Sequence, residues 1–268
     1  MGKLKGLLLT EGLHGMISQV EGLAKALDLD YFHEKVELNS FWKLIPPKFT
    51  PVKKFVFKNN IKRDFDIIIS CGRKSVIPSI FLKKINSKKI KNIHVQDPKV
   101  NFKNFDYIIS PEHDDLKGDN ILSSKGAIHY LTSEEINEKK NYLLEKISKE
   151  KKIITLILGG PTKYYAYSNQ NLLNIFSKIS KQVLNNNFQV IVIPSNRTPP
   201  RTIDLAKKFF TKEHLIIDKV DKDAYLSSLG IADYIIVTCD SSSMISEAAL
   251  TGKPLYLSLI HISEPTRH

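Results

Sequence analysis

Residues 238–254 read TCDSSSMISEAALTGKP, and the fold prediction is built outward from this stretch. It predicts the end of a strand followed directly by a helix. Asp240 or Ser241 is suited to be the N-cap of that helix, because a side-chain oxygen there can accept a backbone N–H of the first turn. Gly252, with Pro254 beyond it, predicts where the helix ends.

The start of this helix is the strongest candidate for a ligand site. The first backbone N–H groups of a helix have no acceptor within it and attract phosphate, which makes Ser241, Ser242 and Ser243 candidates for contacting phosphate oxygens. Glu247 is four residues after Ser243 and shares its helix face, where a carboxylate could accept both hydroxyls of a ribose. A surface carboxylate that is favourable near a helix start is an equally good interpretation of Glu247.

Outward from this stretch, short runs of Ile, Val and Leu alternate with amphipathic segments, as in βα units whose strands are buried on both faces. The predicted strands are Gly6–Thr10, Tyr31–Val36, Asp66–Ser70, Asn92–Gln96, Tyr107–Ser110, Ile153–Leu158, Phe188–Ile193, Leu215–Ile217 and Tyr234–Thr238. The predicted helices are Ser18–Leu27, Ser75–Ile85, Glu134–Ile147, Asn169–Leu184, Arg201–Phe210 and Ser243–Leu250. This order predicts an α/β fold with parallel sheets, which bind ligands at the carboxyl ends of their strands.

A chain of 268 residues exceeds what one hydrophobic core usually organises, so two domains are expected. The charged stretch Glu134–Lys152 predicts a long helix that ends in a linker, and we place the boundary near Glu150. Residues 1–150 and 151–256 are then two Rossmann-like, doubly wound domains. Residues 257–268 resemble the translated read-through of a transposon-type sequencing adapter and are excluded from the fold prediction, so the second domain is expected to be incomplete.

The formal charge of +12 at pH 7 raises the question of an anionic partner such as nucleic acid. Only five of the 40 basic residues are arginine, which bidentate recognition of bases and phosphates favours, so no specific nucleic-acid partner is expected. The two cysteines lie in separate halves of the chain, which does not predict a disulfide and suits a cytoplasmic protein. No apolar run is long enough for a transmembrane segment, so any membrane contact is expected to be peripheral.

Two loops of the first half carry candidate residues. Gly12 and Gly15 follow the first predicted strand and open a helix whose N–H groups can face an anion, although a plain tight turn would use the same glycines. Glu112, His113 and Asp114 follow the fifth predicted strand and are candidates for a general base. An exposed polar turn is the alternative for these three residues.

Glycines also follow the first predicted strand of the second half. Gly159 and Gly160, with Thr162 after them, would let a ligand approach the backbone closely. The aromatic side chains that come next could stack on a base, and they are Tyr164, Tyr165 and Tyr167.

The loop after the next strand offers hydroxyl groups and one of the few arginines. Ser195, Arg197 and Thr198 could clamp a diphosphate there. A turn closed by hydrogen bonds of short polar side chains is the alternative.

The segment at 238–254 resembles the Ser-rich loop and the Glu-Ala-Ala-x-x-Gly-Lys-Pro motif of glycosyltransferase-B enzymes, in which the acidic residue holds the ribose of UDP. More of the chain is similar to the mitochondrial-fission ("elongated mitochondria") family and its bacterial homologues. The residues that carry this similarity are Thr10 through Gln19, Gly22-Leu23-Ala24, Cys71-Gly72-Arg73, Gln96-Asp97-Pro98, Pro111-Glu112-His113-Asp114, Gly126-Ala127-Ile128-His129, Gly159-Gly160-Pro161, Pro194-Ser195 with Arg197-Thr198, and Asp240 through Pro254. Gln19 lies in the first motif and is counted with the ligand-binding candidates.

The resemblance implies a glycosyltransferase-B-like fold, in which two Rossmann-like domains face a cleft. For plant members it implies recruitment of a dynamin-related protein to the mitochondrial outer membrane. Bacterial members cannot have that role and are described as nucleotide-sugar enzymes.

The leading hypothesis is therefore a glycosyltransferase-like enzyme with an acceptor-side first domain and a nucleotide-binding second domain. Its substrates are a nucleoside-diphosphate sugar and an acceptor that the sequence does not identify, and neither a cofactor nor a metal is required. The phosphates are assigned to Ser241–Ser243 and Arg197, the ribose to Glu247, and the acceptor proton to a side chain at 112–114. The rival hypothesis is a non-catalytic binding or recruitment module on the same fold, because fold alone does not define function.

Overall fold

The computed structural model describes residues 2–61, 63–86, 89–162, 168–184, 186–211 and 213–258. Its strands are β1 (Lys5–Thr10), β2 (Asp30–Lys35), β3 (Ile67–Cys71), β4 (Lys91–Val95), β5 (Tyr107–Pro111), β6 (Ile121–Ser124), β7 (Lys152–Leu158), β8 (Phe188–Pro194), β9 (Leu215–Ile216), β10 (Tyr234–Thr238) and β11 (Leu255–Ser258). Its α-helices are α1 (His14–Ala26), α2 (Val76–Ile85), α3 (Ser133–Lys139), α4 (Asn169–Leu184), α5 (Pro200–Phe209), α6 (Lys222–Ile231) and α7 (Ser242–Ala249). Short 3₁₀ helices lie at Phe41–Lys43, Pro47–Phe49, Lys54–Val56, Arg73–Ser75, Phe102–Asn104, Glu112–Asp114 and Lys140–Lys146.

The strands form two parallel sheets, one in each of two compact units. The first unit ends at Tyr130 and the second begins at Leu131. The first sheet has the order β2-β1-β3-β4-β5-β6, and the second has the order β11-β10-β7-β8-β9. The chain reverses its direction of winding between β1 and β3 in the first sheet and between β7 and β10 in the second. Doubly wound sheets bind their ligands outside the carboxyl ends of the strands at this reversal.

The central strands are apolar along their whole length because both of their faces are covered. Leu7, Leu8 and Leu9 of β1 are all fully buried, and Leu7 pairs with Ile68 of β3. Helices supply the covering, as Phe176 of α4 does in the core of the second unit. Continuous burial of this kind is typical of parallel sheets and explains why the apolar runs predicted the strands.

The predicted strands are confirmed with small shifts of their ends, but β6 and α6 were not predicted. β6 is a short edge strand with an exposed Leu122, so it lacks the apolar run that marks the other strands. In α6, Ser227 and Ser228 are buried and interrupt the apolar stripe. Their hydroxyls donate to the carbonyl oxygens of Lys140, at 2.9 Å, and Tyr225, at 2.8 Å, which is how this polar pair is tolerated inside.

The charged stretch at Glu134–Lys152 does not form the single long helix that was predicted. The α-helix ends at Lys139, and the chain continues as the 3₁₀ helix Lys140–Lys146. This tighter turn places Leu143, which is fully buried, against α6, where its N–H donates to Ser227 Oγ at 3.1 Å. The whole stretch therefore packs in the second unit, and the division between the units falls at Tyr130–Leu131 rather than near Glu150.

The end of the described chain completes the second sheet. Leu257 and Ser258 lie in β11 and pair with Val237 and Thr238 of β10. Residues 259–268 lie outside the described residues, and the adapter origin of 257–268 stays a prediction. Within the described part of the chain, no helix combines the length and the apolar character needed to cross a bilayer.

Candidate functional site

The carboxyl edge of the second sheet brings three of the predicted loops together. The loop after β7 begins at Gly159 and the loop after β10 begins at Cys239, so the two flank the point where the winding reverses. The loop after β8 begins at Ser195 and lies on the other side of β7. This edge is therefore the position at which the fold favours a ligand.

Asp240 is the centre of this edge. Its side chain is fully buried, with Oδ2 accepting the N–H of Gly160 at 3.0 Å and a guanidinium N–H of Arg197 at 2.8 Å. Its Oδ1 accepts the hydroxyl of Thr238 at 2.7 Å, and that hydroxyl accepts the N–H of Gly159 at 2.7 Å. Hydrogen bonds and a counter-charge thus replace the water that a buried carboxylate loses. The N-cap of α7 is Ser241, because the carboxylate of Asp240 is directed to these groups.

Gly159 and Gly160 are glycines because the loops pack against each other without room for a side chain. A Cβ on Gly159 would lie 2.0 Å from Asp240 Oδ2, and a Cβ on Gly160 would lie 2.0 Å from the carbonyl oxygen of Arg197. Protein atoms therefore occupy the space that was predicted to admit a ligand to the backbone.

Ser195 and Thr198 close the turn after β8. The Thr198 hydroxyl donates toward the carbonyl oxygens of Leu158, at 2.8 Å, and Gly159, at 2.7 Å, and it lies 3.1 Å from Ser195 Oγ. The N–H of Ser195 donates to Thr198 Oγ1 at 2.8 Å. These contacts match the alternative interpretation of the segment, in which short polar side chains stabilise a turn.

Arg197 extends from the same turn toward α7. Its side chain is 41% exposed, and one terminal nitrogen contacts both Oδ2 and the carbonyl oxygen of Asp240, at 2.8 and 3.3 Å. The carboxylate balances the positive charge of the guanidinium. Arg197 would therefore contribute less to the attraction of a diphosphate than was predicted. Backbone N–H groups at this edge would contribute more.

The start of α7 presents such groups. Ser241 has extended backbone and makes no side-chain capping bond, and the first backbone bond of the helix runs from Ile245 N–H to its carbonyl oxygen. The N–H groups of Ser242 and Ser243 precede that bond and have no acceptor within the helix. Ser242 is exposed and Ser243 is half-buried.

Glu247 lies one turn further along α7 and is half-buried. Its Oε2 accepts the hydroxyl of Tyr225, on α6, at 2.7 Å. This bond fixes the orientation of the Glu247 carboxylate. A carboxylate that only stabilised the helix start from the surface would not need a fixed orientation. Tyr225 is the residue that sequence reasoning missed here. Asp221, whose side chain caps α6 by accepting the N–H of Ala224 at 3.0 Å, was the signal that could have revealed this helix.

In the first unit, the loop after β1 contains the predicted glycines. Gly12 has a positive φ of 83° and donates its N–H to Thr10 Oγ1 at 3.0 Å, so a tight turn requires glycine there. Gly15 lies in the first turn of α1. Gln19 is buried, donates to the Gly15 carbonyl oxygen at 3.1 Å and accepts from Gln96 at 3.3 Å. The amide of Gln19 is thus used within the protein.

An ion pair across the winding reversal of the first sheet was not predicted. Glu11, after β1, accepts the backbone N–H of Lys74 at 3.0 Å and pairs with its Nζ at 2.8 Å. Gly72, with a φ of 93°, leaves room for Glu11, because a Cβ there would lie 3.2 Å from Glu11 Oε1 and 2.7 Å from the sulfur of Met16. The loops after β1 and β3 are therefore held together.

Glu112 and Asp114 lie at the carboxyl edge of the first sheet, in the 3₁₀ helix after β5. Both are exposed, and Asp114 Oδ2 accepts the hydroxyl of Ser110 at 2.7 Å. The side chain of His113 lies outside the described residues. Two of the three proposed acidic or basic groups are therefore open to solvent, and their role as a general base stays a prediction.

Other predicted residues lie at or beyond the limits of the described chain. Thr162 is half-buried at the end of the described loop, and Tyr164, Tyr165 and Tyr167 lie outside the described residues. In the part of the chain that is described, no group of three His, Cys, Asp or Glu side chains is placed to hold a metal ion.

The two free cysteines differ in burial, and their rates of alkylation test that difference. Burial raises the pKa of the Cys71 thiol to about 12, and the Glu11 carboxylate adds to the shift. Cys239 is half-buried beside Asp240, and burial first and that carboxylate second raise its pKa as well. Because the thiolate is the reactive form, iodoacetamide at about pH 8 is expected to label Cys239 about tenfold or more faster than Cys71. Peptide mass spectrometry on the native chain, with Cys239→Ser as control, measures both rates, and equal rates would contradict the burial of Cys71.

The family model for mitochondrial fission ELM1 matches residues 14–267. The chain belongs to the mitochondrial fission ELM1 family. This confirms the resemblance on which the sequence analysis drew, and it assigns the edge described above to a member of that family.

Two curated relatives of this ELM1-family chain are similar over most of its length. Uncharacterized protein RP120 of Rickettsia prowazekii is 28% identical, over 72% of this chain and 64% of the relative. Mitochondrial fission protein ELM1 of Arabidopsis thaliana is 22% identical, over 71% of this chain and 51% of the relative. The chain thus spans between about half and two thirds of the length of these relatives.

Solved structures share the fold of this ELM1-family chain. UDP-GlcNAc 2-epimerase from Methanocaldococcus jannaschii has a TM-score of 0.59 at 15% identity, covering 97% of this chain and 85% of the epimerase. The catalytic domain of starch synthase IV from Arabidopsis thaliana, bound to ADP and acarbose, has a TM-score of 0.56 at 8% identity, covering 100% of this chain and 87% of that domain. The predicted α/β fold of the glycosyltransferase-B type is confirmed.

Proposed function

We propose that this ELM1-family chain binds a nucleoside-diphosphate sugar at the carboxyl edge of its second sheet and transfers the sugar to an acceptor. One observation carries the proposal. The start of α7, with acceptor-seeking N–H groups at Ser242 and Ser243, and the oriented carboxylate of Glu247 lie on one helix beside the winding reversal of the sheet.

The proposed chemistry follows from these groups. Diphosphate oxygens accept hydrogen bonds from the first-turn N–H groups of α7, and the ribose hydroxyls donate to Glu247. The developing charge on the leaving diphosphate is stabilised by the same N–H groups, with Arg197 nearby. An acceptor hydroxyl attacks the sugar carbon, the bond to the diphosphate breaks, and the hydroxyl proton passes to Glu112 or Asp114.

The comparisons support a nucleotide as the ligand. The starch synthase domain of the same fold is bound to ADP, and the epimerase of the same fold acts on UDP-GlcNAc by its name. The acceptor-side roles of Glu112 and Asp114 are our assignment.

A non-catalytic recruitment module is the second candidate. It is favoured by the ion pair between Arg197 and the buried carboxylate of Asp240. Because of this pair, the guanidinium of Arg197 is already bound and is not open to a diphosphate. The name of the Arabidopsis relative, a mitochondrial fission protein, points in the same direction. This alternative predicts that the fold is kept without a nucleotide requirement.

Thermal unfolding with UDP, ADP, GDP and their sugars tests the proposal. A nucleotide at 100 times its Kd is expected to stabilise the chain by about 2.7 kcal/mol. Glu247→Ala combined with Ser243→Ala should weaken nucleotide affinity by about tenfold or more, because a charge-assisted bond to ribose is worth roughly 1.5–3 kcal/mol. Tyr225→Phe should weaken it by a smaller factor, since it removes only the bond that orients Glu247.

The control is Glu213→Ala, which removes an exposed carboxylate whose described partner is Lys151, away from α7. It should leave nucleotide affinity unchanged. Stabilisation by no nucleotide would refute the proposal and support the recruitment module. Equal affinities of the parent and the Ser243→Ala, Glu247→Ala double variant would refute the assigned site.

A further inference from the structure

The segment between β2 and β3 exposes large apolar side chains. In place of a covering helix it contains the short 3₁₀ helices at Phe41–Lys43, Pro47–Phe49 and Lys54–Val56. The exposed fractions are 64% for Phe41, 80% for Leu44, 70% for Phe49 and 59% for Phe55. Single exposed apolar residues are ordinary, but four within fifteen residues of one short segment mark an interaction surface.

Buried neighbours in the same segment anchor the backbone that carries the exposed side chains. Val56 and Phe57 are buried in the core of the first unit, and Phe57 forms an antiparallel bridge with Leu38. The ring of Trp42 lies 4.9 Å from the ring of Phe41 and 5.8 Å from that of Phe55. The apolar side chains therefore face outward because the backbone beneath them is held in place.

The same segment is strongly basic. Residues 38–63 contain no Asp or Glu and include Lys43, Lys48, Lys53, Lys54, Lys58, Lys62 and Arg63. Lys43, Lys48 and Lys53 are exposed, and no described acidic residue pairs with them. Lys54 instead binds the carbonyl oxygens of Phe57 and Asn59 and so holds the segment together. Positive charge is therefore concentrated in the same stretch of chain as the exposed apolar side chains, and Lys48 Nζ lies 5.8 Å from the centre of the Phe49 ring.

We propose that this surface docks the protein on an anionic lipid bilayer. Phe41, Leu44, Phe49 and Phe55, which we call the apolar tip, enter the interface between headgroups and acyl chains. The neighbouring lysines extend along that interface and place their ammonium groups on lipid phosphates. Basic groups near an anionic bilayer contribute attraction in addition to the burial of apolar area.

The surface suits lipid better than single-stranded nucleic acid. Nucleic-acid binding by aromatic residues needs open ring faces on which bases stack. Here the rings of Phe41 and Trp42 pack edge to face at 84°, and Leu44, the most exposed member of the tip, has no ring. Arginine, which favours bidentate phosphate contacts, is represented in the segment by Arg63 alone.

The docking surface lies at the carboxyl edge of the first sheet. It follows the carboxyl end of β2, and the guanidinium of Arg73, directly after β3, donates to the carbonyl oxygen of Lys43. Bilayer binding there would bring the edge that carries Glu112 and Asp114 toward lipid. The proposal does not require nucleotide binding and stands if the nucleotide site is disproved.

Vesicle co-sedimentation of the full chain tests the proposal. Binding is expected to vesicles of phosphatidylcholine mixed with phosphatidylglycerol, to be weaker with phosphatidylcholine alone, and to decrease from about 0.1 M to about 1 M salt as charges are screened. Leu44→Ser combined with Phe49→Ser should lower the partition coefficient by about tenfold or more. Replacement of Lys43, Lys48 and Lys53 by Gln should lower it by about fivefold per lysine.

Matched controls lie at the far edge of the same sheet. Leu122→Ser removes an apolar side chain that is 52% exposed on β6, and Lys103→Gln removes an exposed charge ahead of β5. Neither control should change vesicle binding, and far-UV circular dichroism should show that all variants are folded.

Two results would overturn the proposal. The first is no binding to either vesicle. The second is binding that the apolar-tip and lysine variants leave unchanged. In the first case, RNA binding or self-association that the apolar-tip variant abolishes would assign the surface to nucleic acid or to a second copy.

Discussion

Gly160→Ala is expected to destabilise the second unit by more than about 3 kcal/mol, because the new Cβ overlaps backbone that cannot move away cheaply. The carbonyl oxygen of Arg197 would lie 2.0 Å from that Cβ and its carbonyl carbon 2.4 Å. Displacing Gly160 instead would break the bond from its N–H to Asp240 Oδ2. The buried carboxylate would then lose part of its hydrogen bonding, which adds to the cost of the overlap.

Urea unfolding followed by far-UV circular dichroism measures this loss. Gly230→Ala is the matched control, because its Cβ would meet its nearest neighbours only at 3.3 Å and it lies within α6, where alanine favours the helix. Trp42, the single tryptophan, lies in the first unit, so its fluorescence reports whether that unit is affected. A loss for Gly160→Ala no larger than for Gly230→Ala would show that the two loops are not packed as described.

Acidification is expected to destabilise the first unit through His94. This side chain is 1% exposed, its Nδ1 lies 2.8 Å from Ser70 Oγ, and its ring packs 5.2 Å from that of Phe105. Burial lowers its pKa from the ordinary 6.5 to about 3, and the attraction of Asp97 offsets only part of that shift. The unfolded chain therefore binds a proton at a higher pH than the folded protein does.

The sign of the pH dependence follows from this difference. The contribution of His94 to stability is complete above about pH 6.5 and is lost as the pH falls toward about 3, by roughly 1.4 kcal/mol per pH unit. Between about pH 6.5 and pH 5 most carboxyl groups stay ionised, so the change in unfolding free energy in this range comes mainly from histidine. Urea unfolding followed by Trp42 fluorescence should show a slope that His94→Gln reduces by roughly 1.4 kcal/mol per pH unit.

His14→Gln is the control for this experiment. His14 is exposed at the start of α1, and its replacement gives the reference slope against which the effect of His94→Gln is measured. His33 lies in the same unit with a pKa that burial also lowers, and so some slope should persist in His94→Gln. An unchanged slope in His94→Gln would show that burial does not lower the pKa of this histidine in the folded protein.

The sheets were predictable because local sequence and tertiary position agree in their strands. Leu7, Leu8 and Leu9 form an apolar run, and all three are covered. The prediction failed where neighbouring structure supplies what the local sequence lacks. Ser227 is buried in α6 because the carbonyl oxygen of Lys140 accepts its hydroxyl, a contact with a residue far away in the chain.

The candidate site was predicted only in part. The helix start at Ser241 and the carboxylate of Glu247 could be identified because both lie on one short stretch with a regular helical spacing. Tyr225 could not, since it approaches Glu247 from another helix. The apolar tip was also missed, because the sequence of this segment does not show which of its aromatic residues are buried.

Spacing within single elements was enough to predict the alternation of strands and helices, the apolar cores and the start of α7, because each of these depends on residues that are close in the chain. Two features appear only in the folded protein. Asp240 accepts hydrogen bonds from Gly160 and Arg197, and Gly159 and Gly160 pack where a side chain would not fit, so they do not admit a ligand. These contacts join loops that are remote in the chain. Hydrogen bonds and steric overlap act over a few ångströms in space, and folding sets those distances, whereas separation along the chain does not.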